Sequence, residues 1–255
     1  IDVVVHMKNR PDLTQFPSET RREAKIRYLQ KYAQKDQREL LDYLTNFSDQ
    51  ISDLQTFWIF NGLTLKATKR LVLVLAFRDD IDYIIDNFPV KIGDCVIEES
   101  DISFVPEWNI RRIMADSCWD RGYDGRGIIV GNIDTGVDTS HPALRGKWVP
   151  GGWFDGVGGQ SIPYDDNGHG TATMGIMLGG DGNGQFVDDI GVAPGSRFIC
   201  AKGFDRNGSG SVQTLRPCFQ WFATKNAKVI INGWGLSSPL SLEFWDDCLN
   251  LQRLG

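Results

Sequence analysis

Three short apolar runs in the second half of the chain constrain the fold most: GIIVGNI (127–133), RFICAKGF (197–204) and AKVIINGWG (227–235). Each is short for a helix, and turns containing glycine follow or interrupt it, so buried strands are the reading that fits. Strands apolar on both faces belong to parallel sheets, and parallel neighbours need long crossover connections. Helical stretches lie at 169–178, roughly 211–224 and 241–252, so strands and helices alternate. The pattern predicts an α/β fold: part of a doubly wound parallel sheet with helices on both faces, over residues 106–255. Pro217 falls inside the second helical stretch and predicts a kink or a shortened helix there. The glycine-rich stretch 146–168 reads as a long surface loop.

Residues 1 to about 105 have a different character. DVVVHMK (2–8) reads as a strand, and Thr20-x-x-Glu23 as a capping box, with Ser18 as the other candidate cap. Apolar residues at 26, 29, 33, 40, 44, 47, 51 and 54 lie on one stripe and predict a long helix. FWIFNGLTLKA (57–67) reads as a strand pair or one bent strand, Lys69 to Ile84 as a second helix, and 90–99 as a last strand. This order suits a small α+β domain with helices on one face.

Composition excludes several classes. Hydrophobic residues make up 41% and charged residues 24%, which is enough apolar material for a core and rules out a disordered chain. A net charge of -6 argues against a general nucleic-acid binder. The longest apolar run, Leu71 to Phe77, is far too short to span a bilayer. The five cysteines contain no C-x-x-C pair, so no zinc site is expected, and disulfides are not implied. The first residue is Ile1, so the absence of a leader segment says nothing about compartment.

Candidate chemistry starts at Asp134, which directly follows the first apolar run. Open α/β sheets place their sites at the carboxyl ends of strands. A carboxylate there can orient an imidazole, bind a cation or cap a turn. Asp134-Thr135-Gly136 also suggests aspartic-protease chemistry, but that needs two carboxylates sharing a proton, and no second Asp-[Ser/Thr]-Gly occurs. His169 lies between two glycines in NGHGTAT, unshielded at the start of a helix, and suits a general base as well as a structural cap. His141, in the turn DTSHP, reads as structural, and His6 as a lone strand histidine without a signal. Gly233-Trp234-Gly235 ends a strand, where glycines admit a second extended backbone and Trp234 can wall a side-chain pocket. The same residues also fit a turn beside a core tryptophan. The acidic loop from Asp181 to Asp189 offers oxygens to calcium but lacks the EF-hand pattern, and solvated loop acids are its plainer reading.

Taken together, IIVGNIDTGVDTSHPAL, NGHGTATMGIMLGG, IGVAPGSRFICAKGFD and VIINGWG resemble, in order, the Asp motif, the His motif, the following strand and the substrate-binding strand of subtilisin-like serine peptidases. SIPYDDNGHGT, EWNI and DVVVHMK resemble one subgroup of that family. The resemblance implies that Asp134 is the catalytic carboxylate, His169 the general base, and Gly233, Trp234 and Gly235 the strand that pairs with substrate. It implies that residues 1–105 form a ferredoxin-like inhibitory propeptide domain, whose tail within 95–108 lies along Gly233–Gly235 and is cut there. The implied partners are a protein or peptide substrate and the intramolecular propeptide, with no nucleic acid; the implied location is secreted. No cofactor is required, and Ala143 replaces an acidic residue often used for calcium.

The departures are specific. No G-T-S-M-A motif and no A-G-N motif occurs, Ala-Thr follows His169-Gly-Thr, and Gly233 stands where serine is usual. The expectation is a zymogen whose nucleophile lies beyond Gly255, with residues 1–255 alone inactive and poorly soluble. The alternative is a non-catalytic pseudo-peptidase that binds peptides or inhibits.

Overall fold

The computed structural model describes residues 1–93, 107–180, 190–235 and 242–255. Its elements in chain order are β1 (Asp2–Met7), α1 (Arg22–Asp36), α2 (Arg38–Leu44), β2 (Ile51–Phe57), β3 (Gly62–Ala67), α3 (Lys69–Leu75), β4 (Ile81–Asp86) and β5 (Val90–Ile92). There follow α4 (Trp108–Arg112), α5 (Ala115–Trp119), β6 (Ile129–Asp134), β7 (Trp148–Asp155), α6 (His169–Leu178), β8 (Arg197–Lys202) and β9 (Ser209–Gly210). The last are α7 (Val212–Ala223), β10 (Val229–Ile231), β11 (Trp234–Gly235) and α8 (Trp245–Leu254). The chain divides into two compact units, one of residues 1–89, 211–225 and 238–255, the other of residues 90–210 and 226–237.

The first unit holds an antiparallel sheet in the order β2-β3-β1-β4. Val3, Val5 and Met7 alternate along β1 and pack with Leu40, Leu44, Leu63, Leu65, Leu71 and Leu75 in one core. His6 points to the opposite face, where it meets a buried charge cluster. Its Nε2 lies 3.0 Å from Glu243 Oε1, and its ring stacks on Tyr83 at 4.2 Å. Arg216 on α7 is 0% exposed. Its guanidinium reaches Glu243 Oε1 at 2.8 Å and Asp247 Oδ2 at 3.3 Å, and lies over the Phe60 ring at 3.3 Å.

Burial holds the His6 imidazole below its ordinary pKa, against the pull of Glu243. Burial also pushes Glu243 up, but hydrogen bonds from His6 and Arg216 outweigh it and leave the carboxyl below its usual value. Asp247 goes the other way: burial raises its pKa to about 6 despite Arg216. Between about pH 6 and 4 the folded state therefore binds a proton at Asp247 that the unfolded chain does not, and this group adds stability as pH falls through that window. Asp247→Asn removes the titration. The stability of the variant minus that of the wild type should be largest above neutrality and shrink on acidification. Urea denaturation of both proteins on either side of pH 6 checks this, and a gap that widens on acidification contradicts it.

The second unit holds the parallel sheet β10-β6-β8-β7. Val130, Phe198 and Cys200 pack with Val137, Leu144, Met174, Met177 and Leu178, so α6 lies against the sheet through an apolar face. Val229 and Ile231 on β10 remain 52% and 38% exposed. A small antiparallel sheet, β11-β5-β9, completes this unit.

Several sequence expectations need correction. The long apolar stripe is not one helix: α1 ends at Asp36, α2 at Leu44, and Ile51 and Leu54 lie on β2. The break centres on Gln37, whose buried amide donates to Phe57 O at 2.9 Å and Asn61 Oδ1 at 3.1 Å. Thr20 forms no capping box, since Arg21 holds the N-cap position without a side-chain bond. The helix expected over 69–84 stops at Leu75, and IDYIID forms β4 on the edge of the sheet, where β-branched and aromatic residues fit. The expected loop 146–168 contains β7, whose register against β8 shifts between Trp148 and Trp153, so its glycines and proline disguise it. α7 continues through Pro217 over its full length, Val212–Ala223. The strand expected at 90–99 is β5, described over Val90–Ile92, and it joins the small sheet rather than the four-stranded one. The remainder of that stretch and the candidate calcium loop 181–189 lie outside the described residues.

Candidate active site

Asp134 is the last residue of β6 and is 0% exposed. A strand that ends in a buried carboxylate needs donors for it. Oδ1 accepts from the Thr135 N–H at 2.7 Å and lies 2.7 Å from His169 Nδ1; Oδ2 accepts from Thr173 Oγ1 at 3.0 Å. His169 opens α6 and is 8% exposed. With Nδ1–H donated to Asp134, Nε2 is left as the basic nitrogen, which is the orientation a general base requires.

Local sequence explains how close the two elements come. Gly168 precedes the helix at a φ of 99°, in the left-handed region that glycine adopts freely. A Cβ on Gly170 would lie 2.1 Å from Gly136 O, so only glycine lets α6 start against the end of β6. Thr135 Oγ1 accepts from the Gly170 N–H at 2.9 Å and donates to Asp165 Oδ1 at 2.9 Å. Asp165 also accepts from the N–H groups of Gly168 and Thr171 and from the Thr171 hydroxyl. Burial raises the Asp165 pKa, but these bonds outweigh it and hold the carboxyl below its ordinary value. Lys202 at the end of β8 is buried and pairs with Asp166 at 2.7 Å.

Gly233 faces the pair. A Cβ built there would sit 3.7 Å from Asp134 Oδ2 and 3.8 Å from His169 Cε1. Trp234 donates its indole N–H to Ile133 O at 2.9 Å and packs against Phe204 at 5.4 Å. The main chain of Trp234 and Gly235 is thereby presented as a strand edge, and β5 pairs with it antiparallel, Ile92 opposite Trp234 and Lys91 opposite Gly235. All five residues expected from sequence thus fall in one neighbourhood at the carboxyl end of β6.

Residues 125–250, which contain this neighbourhood, match the Subtilase family. That part of the chain is a subtilase domain. The chain is 30% identical over 268 residues to bacillopeptidase F of Bacillus subtilis, a match covering 91% of this chain and 18% of that protein. It is 35% identical over 124 residues to thermitase of Thermoactinomyces vulgaris, covering 49% of this chain and 43% of that one. The chain thus spans less than half the length of these relatives. Its fold resembles that of fervidolysin from Fervidobacterium pennivorans, a keratinolytic enzyme related to subtilisin, with a TM-score of 0.65 at 16% identity over 100% of this chain and 38% of that one. The matched segment falls in a serine-type peptidase family.

His141 is exposed, and its Nδ1 accepts from the Ala143 N–H at 3.3 Å. Sequence reasoning missed Thr173 and Asn132. The signal was present: Asn132 is two residues before Asp134 on a strand, hence on the same face, and Thr173 is one turn after His169 on a helix. No group of three or more metal-ligating side chains occurs among the described residues. No helix among them is long and apolar enough to cross a membrane.

Proposed function

We propose that this chain is part of a secreted serine endopeptidase precursor, in which Asp134 and His169 form the base pair for a serine supplied from outside these 255 residues. The observation that carries the reading is the 2.7 Å contact between a fully buried carboxylate and the Nδ1 of an imidazole at a helix start. Such a pair holds the tautomer and stabilises the imidazolium that forms when Nε2 takes a hydroxyl proton. The acyl-enzyme forms on the serine, and the leaving amine receives the same proton.

In this reading residues 1–105 are the propeptide and 106–255 the first half of the catalytic domain. Residues 91 and 92 on β5, rather than the tail expected within 95–108, pair antiparallel with β11, and that pairing supports the reading because it is the geometry of a peptide held by backbone hydrogen bonds. A substrate would replace it, its side chain passing beside Trp234. The site needs no metal or cofactor for this chemistry. Casein hydrolysis by the complete protein tests the proposal, with the 255-residue chain as the inactive control. A complete protein that binds casein-derived peptides without cleaving them would be the non-catalytic alternative.

A further inference from the structure

We infer that Thr173 is a positioning residue for the Asp134–His169 pair, its hydroxyl proton directed by Asn132 onto the carboxylate oxygen that His169 does not use. The inference rests on the base-pair reading above and deepens it.

Hydrogen-bond arithmetic fixes the direction. The Asn132 amide is fully buried and has two N–H donors. One reaches Gly170 O at 3.1 Å and the other Thr173 Oγ1 at 3.0 Å. The Thr173 hydroxyl thus accepts from Asn132 and has one proton to give. Its acceptors in reach are Gly170 O and Asp134 Oδ2, each at 3.0 Å. Gly170 O already receives the Asn132 proton, and an ionised carboxylate is the stronger acceptor. The proton therefore goes to Oδ2. With Oδ1 held by the Thr135 N–H and by His169, both oxygens of the carboxylate are tied, and the plane that meets the imidazole is set.

The chain of bonds joins two periodicities. Asn132 and Asp134 share one face of β6, and His169 and Thr173 share one side of α6. Strand and helix are locked together at the catalytic pair itself. The position 233 Cβ direction, which points toward Asp134 Oδ2 from 3.7 Å, bears no side chain here, so Gly233 offers no side-chain donor on that side. Thr173 supplies one from the helix.

A donor on Oδ2 has a consequence beyond geometry. It draws negative charge from the carboxylate and so weakens the hold of Asp134 on the imidazolium. Other charged groups in this part of the structure are committed elsewhere: Asp165 to Thr135 and Thr171, Lys202 to Asp166.

The test is a proton and nitrogen NMR titration of the complete protein labelled at histidine. His169 is assigned by loss of its signals in His169→Gln. Thr173→Val keeps the shape and removes the hydroxyl. It should move the His169 titration to higher pH, while Thr173→Ser restores the wild-type curve. Thr173→Ala gives the same readout without a branched side chain should the valine variant fold poorly. Unchanged titration in both hydroxyl-free variants overturns the proposal. Asp134→Asn separates the two levels of the argument: if it moves the His169 titration and the Thr173 variants do not, only the role of Thr173 fails. If Asp134→Asn moves nothing, the base-pair reading fails with it.

Discussion

Replacement of His169 by alanine in the complete protein is expected to lower kcat/KM for casein on the order of 10⁴-fold or more, with little change in KM. The reason lies in the pair. Asp134 is fully buried with Oδ1 directed at His169 Nδ1, so it acts only through that ring. Without the imidazole no group at this position takes the serine proton, and the tied carboxylate cannot move to substitute. The alanine variant should still bind substrate, because the strand edge at Trp234 and Gly235 is held by other contacts, the indole bond to Ile133 O among them. Steady-state kinetics on both proteins check the expectation. A loss of less than tenfold would mean that His169 serves structure alone.

The second large effect concerns stability. Arg216→Met removes the cation of a fully buried cluster and leaves Glu243 and Asp247 to face each other without it. Breaking a buried pair on one side costs about 3–5 kcal/mol, since the surviving charges lose their compensation in a dry interior. Replacing all three residues together as Arg216→Met, Glu243→Gln and Asp247→Asn should recover most of that loss, because neutral side chains carry no such penalty. Urea denaturation of the single and triple variants measures both. A single variant within about 1 kcal/mol of wild type would show that the cluster is solvated in solution.

How much of this was legible beforehand depended on distance along the chain. The parallel sheet was readable because β6 and β8 are continuous apolar runs, a pattern that does not depend on distant partners. The placement of Asp134 at a strand end and of His169 at a helix start was readable because both are local features. His6 was not. Alone on a strand it has no signal, and its meaning comes from Glu243, 237 residues away. The helix break at Gln37 was hidden for the same reason, since its amide answers to Phe57 and Asn61. β4 and β7 were lost to misleading local cues: a helical apolar spacing before Ile81, and glycine with proline inside an irregular strand. Thr173 lay between these cases. Its spacing from His169 was visible, but only the depth of the helix against β6, set by Gly170, brings its hydroxyl to Asp134.

In the proposed reading Asp134 and His169 activate a serine. The most direct measurement treats the complete protein and its His169→Ala variant with a fluorophosphonate probe, then locates the adduct by peptide mass spectrometry. The account predicts one modified serine outside residues 1–255 in the wild type, with labelling slowed on the order of 10⁴-fold in the variant. No adduct, or labelling at the same rate in both proteins, would contradict it.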